Sequence, residues 1–181
     1  MQRWSDASVR PADRDEGRDR NRLSSATLRS CLDTRDPPTM SAIWQRPIST
    51  EILTTLHVGS TFAHLGMEFV EVGDDFIRAR APVDERTLQP AGILHGGISV
   101  VLAETLGSCG AAFSSPPGTP VVGLDINANH IRAASSGWVH GCARPVHRGR
   151  STQVWHIEVH DDEGRLTCVS RLTLAILDPG R

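Results

Sequence analysis

The chain has 181 residues, 39 % hydrophobic and 22 % charged, with a net charge of −2. That is enough apolar chain for one packed domain, and the near-neutral balance excludes a wholly disordered chain and a nucleic-acid binder. All the basic residues are arginine, which reads as a bias of composition and not as a motif.

Residues 1–39 differ in character from the rest of the chain. RPADRDEGRDRNR is mixed charge with almost no apolar side chain, and DTRDPPT closes the segment with turn-formers. Such a stretch cannot bury enough surface to offset its ordering entropy. It is expected to be a disordered extension, with residues 40–181 forming the domain. Removing residues 1–39 is expected to leave folding and activity intact. An Arg-rich nucleic-acid arm is the other reading, and interleaved acidic residues argue against it. The cysteines are Cys31, Cys109, Cys142 and Cys168, with no CxxC pair. A disulfide scaffold is therefore not expected, and a reducing cytoplasm is. No apolar run reaches the roughly 20 residues of a membrane span, and no signal-peptide core opens the chain, so no membrane partner is expected.

From Met40 the pattern is globular. Ser49 and Thr50 precede an early Glu51, which predicts a short helix over Thr50–Leu56 followed by a loop. GMEFVEVGDDFIRARAPV reads as two strands around a Gly-Asp-Asp turn, the second alternating Ile77, Ala79, Ala81 with Arg78 and Arg80. After the loop DERTLQPAG comes HGGISVVLAETLGS, a long apolar helix ended by SSPPGTP. Four strand-like runs come next: VVGLDINANHIR, GWVHGCARPVHRG, TQVWHIEVHD and LTCVSRLTLAIL. The Asp161-Asp162-Glu163-Gly164 turn between the last two is the clearest hairpin signal. Short turns imply antiparallel strands, and a helix apolar on all sides must be covered on all sides. The expected class is α+β, a curved antiparallel sheet wrapped around one long central helix.

The long helix carries the chemistry. Gly96 and Gly97 leave the amides of the helix start open, where unpaired N–H groups and the positive dipole end suit a carbonyl oxygen turning into an oxyanion. Glycines here also fit a tight turn or close packing. His95 could orient the loop, donate to substrate or cap the helix; Gln89 lies on the approaching loop. Glu104 is the strongest single signal, because a carboxylate within an apolar helix implies a cleft, a charge partner or an interface. Ser108 shares its face at i+4. Gly96 and Glu104 are eight residues, or about 12 Å, apart along a helix, so both cannot act on one carbonyl carbon within a single chain. Two such helices packed antiparallel would bring them together, which predicts a dimer with two equivalent sites.

Two other clusters qualify. His156, Glu158 and His160 recur on one strand face and could hold a metal, but no fourth ligand accompanies them, so a solvated face is expected and no metal. The turn His147, Arg148, Gly149, Arg150, Ser151 and Thr152 offers several donors to phosphate. There is no GxxxxGK[ST], GxGxxG or GxSxG to support a nucleotide hydrolase, a dinucleotide-binding fold or a serine esterase.

Taken together, QPAGILHGGISVVLAETLGS, VVGLDINANHIRAA and RPVHRGRSTQVWHIEVHDDEGRLTCVSRLTLAIL resemble the hotdog-fold acyl-CoA thioesterases. The branch is that of the phenylacetate-pathway and Glu-dependent 4-hydroxybenzoyl-CoA thioesterases. The similarity is strongest to the 1,4-dihydroxy-2-naphthoyl-CoA hydrolases of menaquinone synthesis and their enterobactin-associated relatives. It spans about residues 41–178, all within the domain expected after Met40. The resemblance implies that Gly96 supplies the oxyanion amide and Glu104 acts as nucleophile or general base. It implies that Gln89 and His95 position the thioester and that Ser108 holds the attacking water. Acyl-CoA contacts are implied at Gly123, at His130, Ile131, Arg132 and Ala133, and at the six residues His147, Arg148, Gly149, Arg150, Ser151 and Thr152. No cofactor is implied, CoA being part of the substrate. A homodimer or homotetramer is implied, with an acyl carrier protein as the alternative thioester donor. Cys109 stands where relatives vary, which leaves the acyl group open. The expected function is hydrolysis of an aromatic acyl-CoA. A non-hydrolytic acyl-CoA or carrier-protein binder is one alternative, disfavoured by the intact Gln, His-Gly-Gly, Glu and Ser set; an enoyl hydratase or dehydratase is another, disfavoured by the eight-residue separation of Gly96 and Glu104.

Overall fold

The computed structural model describes residues 42–178, so the expectation for residues 1–39 lies outside the described residues. Helix α1 (Thr50–Leu56) begins where Ser49 accepts a hydrogen bond from the Ile52 amide, and it buries Leu53. A second short helix, α2 (Thr61–His64), forms where a loop is expected from the sequence, capped in the same way by Ser60. Strands β1 (Glu68–Val72) and β2 (Ile77–Pro82) form a hairpin. The long helix α3 (Gly96–Phe113) is followed by β3 (Val121–His130), β4 (Trp138–Arg148), β5 (Thr152–Asp161) and β6 (Leu166–Ile176).

The six strands make one antiparallel sheet in the order β1-β2-β4-β5-β6-β3. Alternation decides its faces. In β5 the buried Gln153, Trp155, Ile157 and Val159 point one way, and the part-exposed His156, Glu158 and His160 point the other. Helix α3 lies across the inner face and touches β2 through β6. It sits low because its contact face is small: a Cβ on Gly110 would meet the Trp155 ring at 2.5 Å, and one on Gly107 would meet Leu172 at 2.6 Å.

The expectation that α3 is covered on every side holds for only one side. Leu102, Ala103, Leu106, Ala111 and Phe113 are buried against the sheet, whereas Glu104 is exposed and Ile98, Val100, Val101, Thr105 and Ser108 are only partly covered. At 18 residues and a mean hydropathy of 1.3, α3 also reaches the short end of membrane-spanning length, contrary to the reading of the sequence. Its packing on the sheet marks it as a core helix. Strand β3 closes one edge of the sheet, pairing only with β6, and it exposes Val122 and Leu124. None of the described cysteines forms a disulfide.

Candidate active site

The loop before α3 is pinned by its backbone. The His95 amide donates to the Thr87 carbonyl at 2.8 Å and the Leu94 amide to the Ala134 carbonyl at 2.8 Å. Thr87 is buried, its hydroxyl donating to the Pro82 carbonyl at 2.7 Å. Gln89 begins a turn in which the Gly92 amide donates back to its carbonyl, with Gly92 at φ 73°. His95 is the N-cap: its Nδ1 accepts from the Gly97 amide at 2.9 Å. This divides the two glycines expected to act alike. Gly97 spends its N–H on the cap, while the Gly96 N–H has no partner among the described residues. An Nδ1 that accepts carries no proton, so a neutral His95 holds its proton on Nε2.

A cleft of about 270 Å³ opens beside Gly96, lined by Gln89, Ile93, Leu94, Ser99, His130, Ile131, Arg132, Ala133, Ala134 and Thr167. The segment after β3 is held there because the Ile131 and Arg132 amides both donate to the Thr167 carbonyl. Of the residues expected from the sequence, Gln89, Gly96, His130, Ile131, Arg132 and Ala133 thus meet in one place, with His95 beside them at the helix start. Ser99 and Thr167 join them through folding alone; no local sequence signal marks either.

The remaining residues gather elsewhere. Glu104 lies on the outer face of α3 with Ser108 one turn on, and a Cβ on Gly123 would sit 3.4 Å from its Oε1. Glu104 is exposed in the single chain. Sheet register then fixes where the phosphate-suited turn falls. Gly123 pairs with Leu174, Leu174 with Gln153, and Gln153 with Arg148. His147, Arg148, Gly149, Arg150, Ser151 and Thr152 therefore lie at the end of the sheet where β3 starts. His130 is at the other end, on the row through Cys168, Val159 and Gly141. The seven residue steps from Gly123 to His130 correspond to about 24 Å. The candidate residues thus fall into two separate groups in each chain, candidate half-sites, one around Gly96 and His130, the other around Glu104 and Gly123.

Cys109, next to Ser108, is buried, and burial pushes its thiol up to about 12, which makes it a poor nucleophile. His57, unremarked in the sequence, covers it: its Nε2 lies 3.8 Å from Cys109 Sγ, and its Nδ1 is 2.8 Å from the Leu53 carbonyl. The same ring packs on Phe62 and Phe69. On the outer sheet face, His156 and His160 flank Glu158 at 3.4 and 3.8 Å. No group of three potential ligands there or elsewhere among the described residues has metal-binding geometry.

Comparison with known proteins places this architecture. The family model "Thioesterase superfamily" matches residues 91–168, from the α3 approach into β6. The 1,4-dihydroxy-2-naphthoyl-CoA hydrolase of Escherichia coli is 50% identical over 135 residues, 75% of this chain and 99% of that protein. The proofreading thioesterase EntH of Cronobacter sakazakii is 47% identical over 135 residues, 75% of this chain and 98% of that one. A crystal structure of a thioesterase from Haemophilus influenzae superposes with a TM-score of 0.75 at 47% identity, covering 77% of this chain and 97% of that one. The chain belongs to the thioesterase superfamily and has its hotdog fold. Within that class it is an enzyme, a thioester hydrolase.

Proposed function

We propose that the substrate is an aromatic acyl-CoA, with 1,4-dihydroxy-2-naphthoyl-CoA or a benzoyl-CoA as the first candidates, and that it is cleaved to the free acid and CoA at a site shared by two chains. The separation of the half-sites carries this reading. Antiparallel pairing of the β3 edge with β3 of a second copy would set the start of one strand beside the end of the other. The Gly96 half of one chain would then face the Glu104 half of its partner. The same pairing would cover the exposed apolar residues of β3 and the outer face of α3.

In that assembly the Gly96 N–H holds the thioester oxygen, with Gln89 and His95 beside it. Glu104 of the second copy either attacks the carbonyl carbon, giving a mixed anhydride that water opens, or takes a proton from a water held by Ser108. As the tetrahedral adduct collapses, the carbon–sulfur bond breaks and the thiolate leaves. A thiolate needs no strong general acid, in keeping with a single carboxylate at the site. Contacts to CoA fall to Ile131, Arg132 and Ala133 on one chain and to the 147–152 turn and Gly123 on the other. The reaction needs no cofactor, and three buried thiols outside any disulfide fit a reducing cytoplasm.

An acyl-CoA panel followed by free-thiol release tests the acyl assignment. Naphthoyl and benzoyl substrates are expected to exceed aliphatic ones in kcat/KM, and a preference for aliphatic chains would overturn the assignment. The relative that is a proofreading thioesterase supports a second reading, an aryl carrier protein as thioester donor. Faster release from aroyl carrier protein than from the matching aroyl-CoA would select it.

A further inference from the structure

The imidazole of His130 occupies the space that a side chain at position 96 would take. A Cβ on Gly96 would meet His130 Nε2 at 2.8 Å, Cε1 at 3.1 Å and Cδ2 at 3.3 Å. In any residue the amide nitrogen and Cβ are about 2.5 Å apart, being bonded to the same Cα. The Gly96 nitrogen and His130 Nε2 are therefore within about 5.3 Å of each other. Two donors that each sit about 2.9 Å from one oxygen can be separated by up to about 5.8 Å. The separation thus allows one oxygen in the cleft to lie within reach of both.

Two further observations bear on what that oxygen is. Neither His130 ring nitrogen has a hydrogen-bond partner among the described residues, and His130 is exposed in the single chain, so its polar edge is open to a ligand in the cleft. Within one chain no carboxylate lines the cleft, whose polar walls are Gln89, Ser99, Arg132 and Thr167 beside the Gly96 amide. Every charge that this chain itself brings to the cleft is positive or absent, which suits an oxygen that gains negative charge.

We propose that His130 is a catalytic residue, its Nε2–H the second donor to the thioester oxygen held by the Gly96 N–H. The proposal rests on thioester hydrolysis at this cleft and moves His130 from the CoA contacts implied by the resemblance to the reacting group. As the nucleophile adds to the carbonyl carbon, the C=O π pair moves onto oxygen, and the two N–H groups hold the oxyanion. When that pair returns, the C–S bond breaks and the sulfur leaves as thiolate. His130 transfers no proton. An imidazole donates from Nε2 both as the cation and as the Nε2–H tautomer.

Kinetics on two substrates with the same acyl group test it: the acyl-CoA and the acyl-pantetheine thioester, which lacks the adenosine and phosphates. Losing one oxyanion donor costs about 10²–10³ in kcat elsewhere, and a site with two or more donors is expected to lose at least about tenfold. His130→Ala should lower kcat by that factor on both substrates, with KM on the pantetheine thioester within about threefold of wild type. His130→Gln, which restores an N–H at similar reach, should recover most of kcat. Wild-type kcat for His130→Ala on the pantetheine thioester, with only KM for the CoA ester raised, would overturn the proposal in favour of a nucleotide contact. Equal losses in the Ala and Gln variants, with matching drops in Tm, would overturn it in favour of structural support. A wild-type enzyme inactive on aromatic substrates would overturn the acyl assignment alone. The same variants are then compared on whichever acyl-pantetheine it cleaves.

Discussion

In the proposed reaction, Glu104 is the residue on which turnover most depends. Replacing it with Gln keeps its shape and exposed position and removes its charge. Glu104→Gln is expected to fold and associate normally, by circular dichroism and gel filtration, and to lose at least about a hundredfold in kcat, the scale of a lost acid–base group. Wild-type turnover would remove Glu104 from the chemistry. At this scale the sequence was informative where residue type alone carries the message: a carboxylate among Ile98, Val100, Val101 and Leu106, and two glycines at a helix start. It was uninformative where the role comes from partners. Only the His95 cap separates the Gly97 amide from the Gly96 amide. Only folding brings His130, from a strand 34 residues on, against Gly96. Whether Glu104 faces a cleft, a charge partner or an interface stayed open, because composition reports the whole helix, whereas exposure belongs to one face.

Elements were the most legible level. Period-two alternation in β2 and β5 and the turn residues between strands placed all six strands, and the apolar run ending in SSPPGTP placed α3. Helix α2 escaped because four residues cannot express a helical period. The face of α3 that meets the sheet makes a stability prediction. Gly110→Val would drive side-chain carbon into the Trp155 ring, already 2.5 Å from a single Cβ. A loss of about 1–3 kcal/mol is expected, the range for overpacked cores, measured as a lower urea midpoint at unchanged m-value. The outer face of β5 makes a pH prediction. Burial lowers the proton affinity of the His160 imidazole, nearby His140 acts the same way, and Glu158 and Asp161 offset part of the effect. A base with a depressed folded pKa binds fewer protons folded than unfolded. Its neutral form therefore favours the fold above the ordinary His value of about 6.5, and that contribution fades as pH falls from there through the folded pKa. His160→Gln should flatten the decline in Tm between about pH 7 and pH 5 relative to wild type; an unchanged slope would refute the assignment.

For the whole molecule, the two half-sites predict complementation. Glu104→Gln chains and Gly96→Val chains each spoil every site they form alone. Refolded together, each mixed dimer contains one site with both lesions and one with neither. Random pairing should return about a quarter of wild-type turnover, from half the dimers and one of two sites in each. No recovery after verified chain exchange would mean that each chain works by itself. None of this separation shows in local sequence, because the strand register that puts Gly123 beside the row of Arg148 and His130 far from it is set only by pairing across the sheet. The eight-residue gap from Gly96 to Glu104 was its one visible trace.

A site completed across the β3 edge would also make the enzyme a gauge of its own abundance. If catalysis needs two chains, then below the dissociation constant of the pair the active population grows as the square of the chain concentration. Halving expression in that regime would quarter the flux, whereas well above it flux and expression stay proportional. Diluting the enzyme at fixed substrate should reveal the crossover as a fall in turnover per chain, at a concentration set by how well two β3 edges hold together.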